Sequence, residues 1–296
     1  MKHFQTLSDM HRANGFPLPE NPMINLIHCK GTCSITEREF TSDFYMIGFK
    51  KLKSGVFMYG RTKYDHDHGS MSFVKPRQVI QMQNLEFEED GFLILFHEDF
   101  LTGHNLHTDI KNYGYFDYEA NEALYLSPRE EEIIWELFRK IDMEIYNNQD
   151  EYSREIMLAH VDSILKYAQR FYKRQFIHRQ QVSGKTISKF DYALKEYFKN
   201  GSLYTNGLPS VQLLADKLNI SPRYLSDMLK QESGKTALEL IHIYTISEAK
   251  NLLKVADQSV AEIAYTLGFE NPPYFSRLFK KEVGISPNEF KKQRLN

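Results

Sequence analysis

Two stretches near the end of this chain, SPRYLSDMLK (221–230) and NPPYFSRLFKK (271–281), hold the side chains best suited to recognising a flat, anionic partner. The first presents Arg223, Ser226, Asp227 and Lys230 at helical spacing, and the second presents Pro273, Ser276, Arg277, Lys280 and Lys281. Arg277 is the foremost candidate. Its guanidinium can offer paired N–H donors to guanine O6 and N7, which is worth roughly 1–3 kcal/mol of discrimination, or it can clamp a phosphate. Asp227 occupies the matching position in the first stretch, where an acid cannot read guanine. It can accept from cytosine N4, or it can orient Arg223 or Lys230. Pro272 and Pro273 have no N–H, so that helix start offers only apolar or shape contacts. Tyr224 and Tyr274 read as half-buried anchors able to reach a phosphate.

Catalytic chemistry finds less to work with. His66 and His68 lie at i and i+2, which on a strand share a face and could hold a metal. The surrounding KYDHDHGS is more simply a solvated turn. Paired catalytic carboxylates, nucleophile arrangements and phosphate-cradling glycine loops are missing. Cys29 and Cys33 form a lone C-x3-C pair, too thin for structural zinc or a disulfide framework. The expectation is no enzyme, no metal and no cofactor.

The elements that must position the basic residues repeat themselves. At an offset of 50, Pro222, Tyr224, Ser226, Lys230, Glu232 and Gly234 meet Pro272, Tyr274, Ser276, Lys280, Glu282 and Gly284. Upstream, at an offset of 49, Val211, Ala215 and Leu218 meet Val260, Ala264 and Leu267. A duplicated unit of this size is one supersecondary motif used twice. Each copy reads as helix, turn, helix. Ser210 and Ser221 cap the first pair, with Pro222 at the first helical position and Gly234 as the stop. Ser259-Val-Ala-Glu262 is a capping box, Asn271 caps the next helix, Gly284 closes it, and Ser286 caps a final short helix. Small Ala215 and Ala264 sit where two helices cross closely.

Between the copies, Thr236-Ala-Leu-Glu239 opens a helix to about Lys254, roughly 27 Å long at 1.5 Å per residue. That length could hold two recognition helices about one DNA turn apart, in successive major grooves on one face of a duplex. One chain would then read two half-sites.

The stretch AEIAYTLGFENPPYFSRLFKKEVGISPNEFKK closely resembles the second helix-turn-helix of AraC/XylS-type regulators. LLADKLNISPRYLSDMLKQESGKTALELIHIYTISEAKNLL resembles the first unit with its connecting helix. The resemblance covers about Ser188 to Arg294. The N-terminal part more distantly resembles the family's cupin-like sensor domain. The resemblance implies a transcription regulator, usually an activator, that binds promoter DNA, works with RNA polymerase, dimerises through its N-terminal domain and in some cases answers to a small-molecule effector. One alternative is a constitutive regulator whose barrel only dimerises. Another is a metal-dependent cupin enzyme with an appended DNA-binding domain. Metal cupins open with G-x5-H-x-H-x3,4-E; Gly60, His66 and His68 fit, but Ser72 and Phe73 stand where the Glu should be.

The rest of the chain has an ordinary globular composition, 42% hydrophobic and 26% charged. No apolar run approaches the ~20 residues of a membrane span, and the start lacks a secretory h-region, so a cytoplasmic protein is expected. From Thr186 onward 15 Lys and Arg stand against 12 Asp and Glu, and the remainder is acidic, with 22 against 27. A mildly basic C-terminal part permits DNA binding without establishing it.

From Asn25 to about Phe96, the runs INLIHC, FYMIGFKKL, VFMYGRTKY, SMSFV, QVIQM and FLILF suggest a small barrel or sandwich. Ser127-Pro-Arg-Glu130 opens a helix with Ile133, Ile134, Leu137, Phe138, Ile141 and Ile145 on one face. After NNQD comes a second helix, with Met157, Val161, Ile164, Leu165, Ala168 and Phe171. These two helices pack on the barrel, or against the same helices of a second chain, or both.

The expected architecture is α+β in two domains. Residues 1–177 form a cupin-like sensor or dimerisation domain, with a barrel at about 20–100 and helices at about 128–177. Residues 178–186, HRQQVSGKT, form a linker. Residues 187–296 form an all-α DNA-binding domain, with helix-turn-helix units at about 210–232 and 259–283 and a connecting helix at about 237–254.

Overall fold

The computed structural model describes residues 1–29, 39–59, 62–63, 69–118, 122–183, 186–255 and 258–292. It divides into two compact units, Met1–His178 and Arg179–Asn296.

In the first unit, alternation along two long strands decides the layers. β4 (Phe44–Tyr59) and β7 (Ile80–His97) pair antiparallel from Phe44↔His97 to Tyr59↔Ile80. Their apolar runs FYMIGF and FLILF are buried on both faces, as in a sheet covered on two sides. Phe44, Met46, Leu93 and Leu95 point to one side. There they join Phe4, Phe40 and Ile80 with Leu7 and Met10 of α1 (Leu7–Asn14). On the other side Phe49 and Phe92 meet Trp135 and Phe138 of α3 (Pro128–Tyr146), with Phe92 and Phe138 stacked at 4.2 Å.

Around this pair lie β1 (Lys2–Phe4), β2 (Ile24–Cys29), β3 (Glu39–Ser42), β5 (Thr62–Lys63), β6 (Ser70–Val74) and β8 (Leu124–Tyr125). The described strands run in the order β1-β3-β7-β4-β6-β8, with β2 also on β7 and β5 also on β4. This is a sheet with two ends, and a closed barrel is not seen among the described residues. Two of the expected breaks are also absent. FYMIGFKKL and VFMY are one strand, and so are the runs around QVIQM and FLILF. The polar Lys53-Ser54-Gly55 makes no turn, because register shifts between Phe49 and Val56 absorb the irregularity within continuous pairing. β1 and α1, which precede the expected barrel, belong to the same core.

Ser127 and Glu130 form the capping box that starts α3. α4 (Ser153–Ser183) follows, with Asp150 Oδ1 accepting from the Tyr152 and Ser153 N–H groups at its start. Its stripe Met157, Val161, Ile164, Leu165, Ala168 and Phe171 is buried within this one chain. Polar bonds tie α4 to the segment before α3. Arg154 donates to Phe100 O and Thr102 O, Tyr115 Oη donates to Leu165 O at 2.9 Å, and Gln175 bridges Ala123 O and Tyr125 N. That segment contains α2 (Leu106–Asp109) between short 3-10 turns. The polar stretch from His178 is helical as far as Ser183, while Gly184 and Lys185 lie outside the described residues.

The second unit is helical among its described residues: α5 (Thr186–Lys199), α6 (Ser202–Asn206), α7 (Val211–Lys217), α8 (Pro222–Ser233), α9 (Ala237–Val255), α10 (Val260–Thr266), α11 (Pro272–Val283) and α12 (Pro287–Lys292). It has two cores. Phe190, Leu194, Leu214, Ala215, Leu225, Leu229 and Ile241 form one. Ile246, Ala249, Leu253, Ile263, Ala264, Phe275 and Phe279 are in the other, and Phe198 packs against both. α9 gives Ile241 to the first and Ile246, Ala249 and Leu253 to the second, so one helix is the spine of both.

Candidate nucleic-acid interface

Each helix of the repeated pairs starts at a side-chain cap that satisfies an otherwise orphaned N–H. Ser210 Oγ accepts from Leu213 N at 3.1 Å, and Ser221 Oγ accepts from Tyr224 N at 3.2 Å. Asn271 Oδ1 accepts from Tyr274 N at 3.1 Å. At Ser259 the box is reciprocal, with Glu262 N donating to Ser259 Oγ and Ser259 N to Glu262 Oε2 at 2.6 Å. Thr236 with Glu239 and Ser286 with Glu289 repeat this arrangement. These bonds depress the carboxyls of all three glutamates. For Glu239 and Glu262 the backbone N–H of the cap residue is the larger cause, and for Glu289 it is the Ser286 hydroxyl.

The turns are equivalent too. Asn219, with φ 55°, and Gly268, with φ 82°, supply the left-handed residue at the offset of 49. Ala215 and Ala264 are both fully buried where the helices of each pair meet. α8 and α11 each bury an apolar stripe and end on a left-handed glycine, Gly234 and Gly284.

What remains outside is polar and largely cationic. Arg223 and Lys230 are exposed on α8, with Ser226 and Asp227 half-buried. On α11, Pro273, Tyr274, Arg277, Lys280 and Lys281 are exposed and Ser276 is half-buried. Arg223 Nε donates to Asp227 Oδ2 at 3.3 Å, an i,i+4 pair. The two tyrosines part company. Tyr274 is 44% exposed, whereas Tyr224 is fully buried and lies in the core instead of at the surface.

Two supports were not apparent from the motifs. Glu232, near the end of α8, accepts from the Thr186 and Ile187 N–H groups at 3.0 and 2.9 Å and so caps α5. Tyr197 Oη donates to Gly207 O at 2.9 Å and fixes the loop before α7. The first spans 46 residues and the second 10, and only the pairing of Glu232 with Glu282 in the repeat marked the first. On α9, His242 is half-buried near Glu282, Lys281 and Glu239, and burial lowers its pKa.

His66 and His68 lie outside the described residues. Among the described residues no group of three or more His, Cys, Asp or Glu gathers into a metal site. No helix among them is long and apolar enough to cross a membrane.

A helix-turn-helix domain family matches residues 214–293. The HTH-type transcriptional activator RhaS of Citrobacter koseri is 37% identical over 81 residues, 27% of this chain and 29% of its own. The uncharacterized transcriptional regulatory protein YesN of Bacillus subtilis is 38% identical over 81 residues, 27% of this chain and 22% of its own. This chain therefore spans less than a third of the length of these curated relatives. Among solved structures, the C-terminal domain of AraT, a response regulator from Geobacillus stearothermophilus, is 33% identical with a TM-score of 0.32; the match covers 36% of this chain and 85% of that one.

Proposed function

We propose that this chain, whose C-terminal unit carries a helix-turn-helix domain of the AraC type, is a sequence-specific DNA-binding regulator of transcription. The observation that carries the reading is the duplication itself. Two helix-turn-helix pairs share α9 as their spine and leave Arg223, Lys230, Arg277, Lys280 and Lys281 in solvent. α8 and α11 enter successive major grooves of a promoter operator, where Arg277 reads guanine and Lys280 and Lys281 meet phosphates. Ser226, Ser276, Pro273 and Tyr274 complete the surface. Tyr224 is left out because it is buried.

The first unit senses a small-molecule effector and dimerises. Met143 and Tyr146, 72% and 64% exposed on α3, give a second copy apolar surface to cover. The product is activation of transcription together with RNA polymerase, in the cytoplasm.

The test is selection of bound sequences from random duplex DNA by the full chain, and again by Arg277→Ala. Two short blocks about one helical turn apart, one of them relaxed by the substitution, are expected. Weak, steeply salt-dependent binding with no enriched sequence would reduce the activity to non-specific affinity.

A further inference from the structure

The two recognition helices are copies in backbone but not in the placement of their arginine. At the offset of 50, Arg223 corresponds to Pro273 and Asp227 to Arg277. The guanidinium therefore stands at the second position of α8 and at the sixth of α11. In α8 the acid one turn later engages it, with Arg223 Nε on Asp227 Oδ2 at 3.3 Å and the two side chains 48% and 26% exposed. In α11 the residues one turn before and one turn after Arg277 are Pro273 and Lys281, so the helix itself offers it no such acid at either place.

From this we infer that the two units read their half-sites in different registers, with Arg223, held by Asp227, as the guanine reader of the first. The inference rests on the DNA-binding reading above. Residues near the start of a recognition helix are the ones that reach base edges, and Arg223 is closer to that start than Arg277 by four residues. At 1.5 Å per residue the displacement is about 6 Å along the helix, or one to two base steps of about 3.4 Å. Asp227 is a positioning residue. Its carboxylate takes the Nε–H, so the fork can meet N7 and O6 end-on through its two Nη groups, the bidentate geometry that discriminates guanine. It also places negative charge where Arg277 stands in the other unit, and so turns phosphate away from that position.

The experiment is sequence selection with the full chain and four variants: Arg223→Ala, Asp227→Asn, Asp227→Glu and the double variant Arg223→Ala/Asp227→Arg. Circular dichroism checks each for native helix content. Arg223→Ala is expected to lower the preference for one guanine in the first block by roughly ten- to a hundredfold and to leave the second block intact. Asp227→Asn weakens the same preference, and Asp227→Glu, which can still pair at i,i+4, largely keeps it. The double variant moves the arginine to the register of α11, and the preferred guanine moves with it by one to two base pairs.

Uniform weakening by Arg223→Ala, with a shallower salt dependence and unchanged base preferences, would make Arg223 a phosphate contact and overturn the inference. Loss of a cytosine preference in Asp227→Asn, with guanine untouched, would make Asp227 itself the reader and overturn it likewise. Failure of the unsubstituted chain to enrich any sequence is a different result, which removes the DNA-reading proposal and this register with it.

Discussion

Gly268 and Gly207 meet backbone to backbone: a Cβ on Gly268 would stand 2.7 Å from the Gly207 carbonyl carbon and 2.8 Å from the Leu208 nitrogen. Gly268 is the left-handed residue in the turn between α10 and α11, and Gly207 lies in the loop that leads to α7. This approach joins the turn of the second helix-turn-helix to the loop before the first, and Tyr197 Oη donates to the carbonyl of the same Gly207. Gly268→Ala should destabilise the second unit by about 1–3 kcal/mol from its φ alone, with the backbone clash adding to that. Gly268→Asn separates the two causes. Asparagine tolerates this φ, as Asn219 does in the first turn, so a loss that persists in Gly268→Asn reports the close approach. Denaturant unfolding of the full chain measures both; a neutral Gly268→Ala would disprove the contact.

The crossings at Ala215 and Ala264 leave no room for a larger side chain, since both are fully buried. Ala215→Leu and Ala264→Leu should each cost about 1–3 kcal/mol by overpacking. Thermal unfolding is the readout, and the second core should respond to Ala264→Leu alone.

Acid should loosen the helix starts of the second unit. Glu239, Glu262 and Glu289 have folded pKa values below the ordinary carboxylate value. Their contribution is therefore complete above the unfolded pKa, about 4.3, and is lost as pH falls through the lower folded values. Replacing all three by glutamine keeps an acceptor for the cap residue and removes the titration. The expected result is a flatter acid limb of the stability curve below about pH 4.3, and an unchanged limb would refute it.

Trp135, the single tryptophan of the chain, packs edge-on against Phe92 and Phe138 at 5.0 and 5.4 Å. Phe138→Ala should destabilise the first unit by about 3–5 kcal/mol and shift Trp135 emission toward that of a more solvated indole. If α3 were held chiefly by a second chain, the loss would vary with protein concentration; packing on its own sheet predicts that it does not.

Lys280→Ala and Lys281→Ala should weaken DNA binding evenly across sequences, each lowering the slope of log affinity against log salt by about one. Titrations at several salt concentrations decide this. A change in base preference would instead place these lysines at base edges.

The sequence by itself determined the parts of this protein governed by bonds that close within a few residues. Ser221, Ser259, Thr236 and Asn271 cap helices through partners at most three residues away, and the repeat of those caps, with buried alanines at matching places, was enough to read two helix-turn-helix pairs and a connecting helix. Helical period alone placed Arg223 and Lys230 of α8 and Pro273, Arg277, Lys280 and Lys281 of α11 outside, whereas Ser226, Asp227 and Ser276, expected to be exposed with them, are half-buried. Only the tertiary structure decided what depends on neighbours distant in the chain. Ser54 and Glu86 are paired across β4 and β7, so polar residues that read as turns lie inside continuous strands. β1 takes its place because Phe4 meets Phe40 at 5.4 Å, a contact that a short N-terminal segment does not announce. Tyr224 and Tyr274 occupy one position of the repeat, yet one is buried and the other open, because burial belongs to the surroundings and not to the residue.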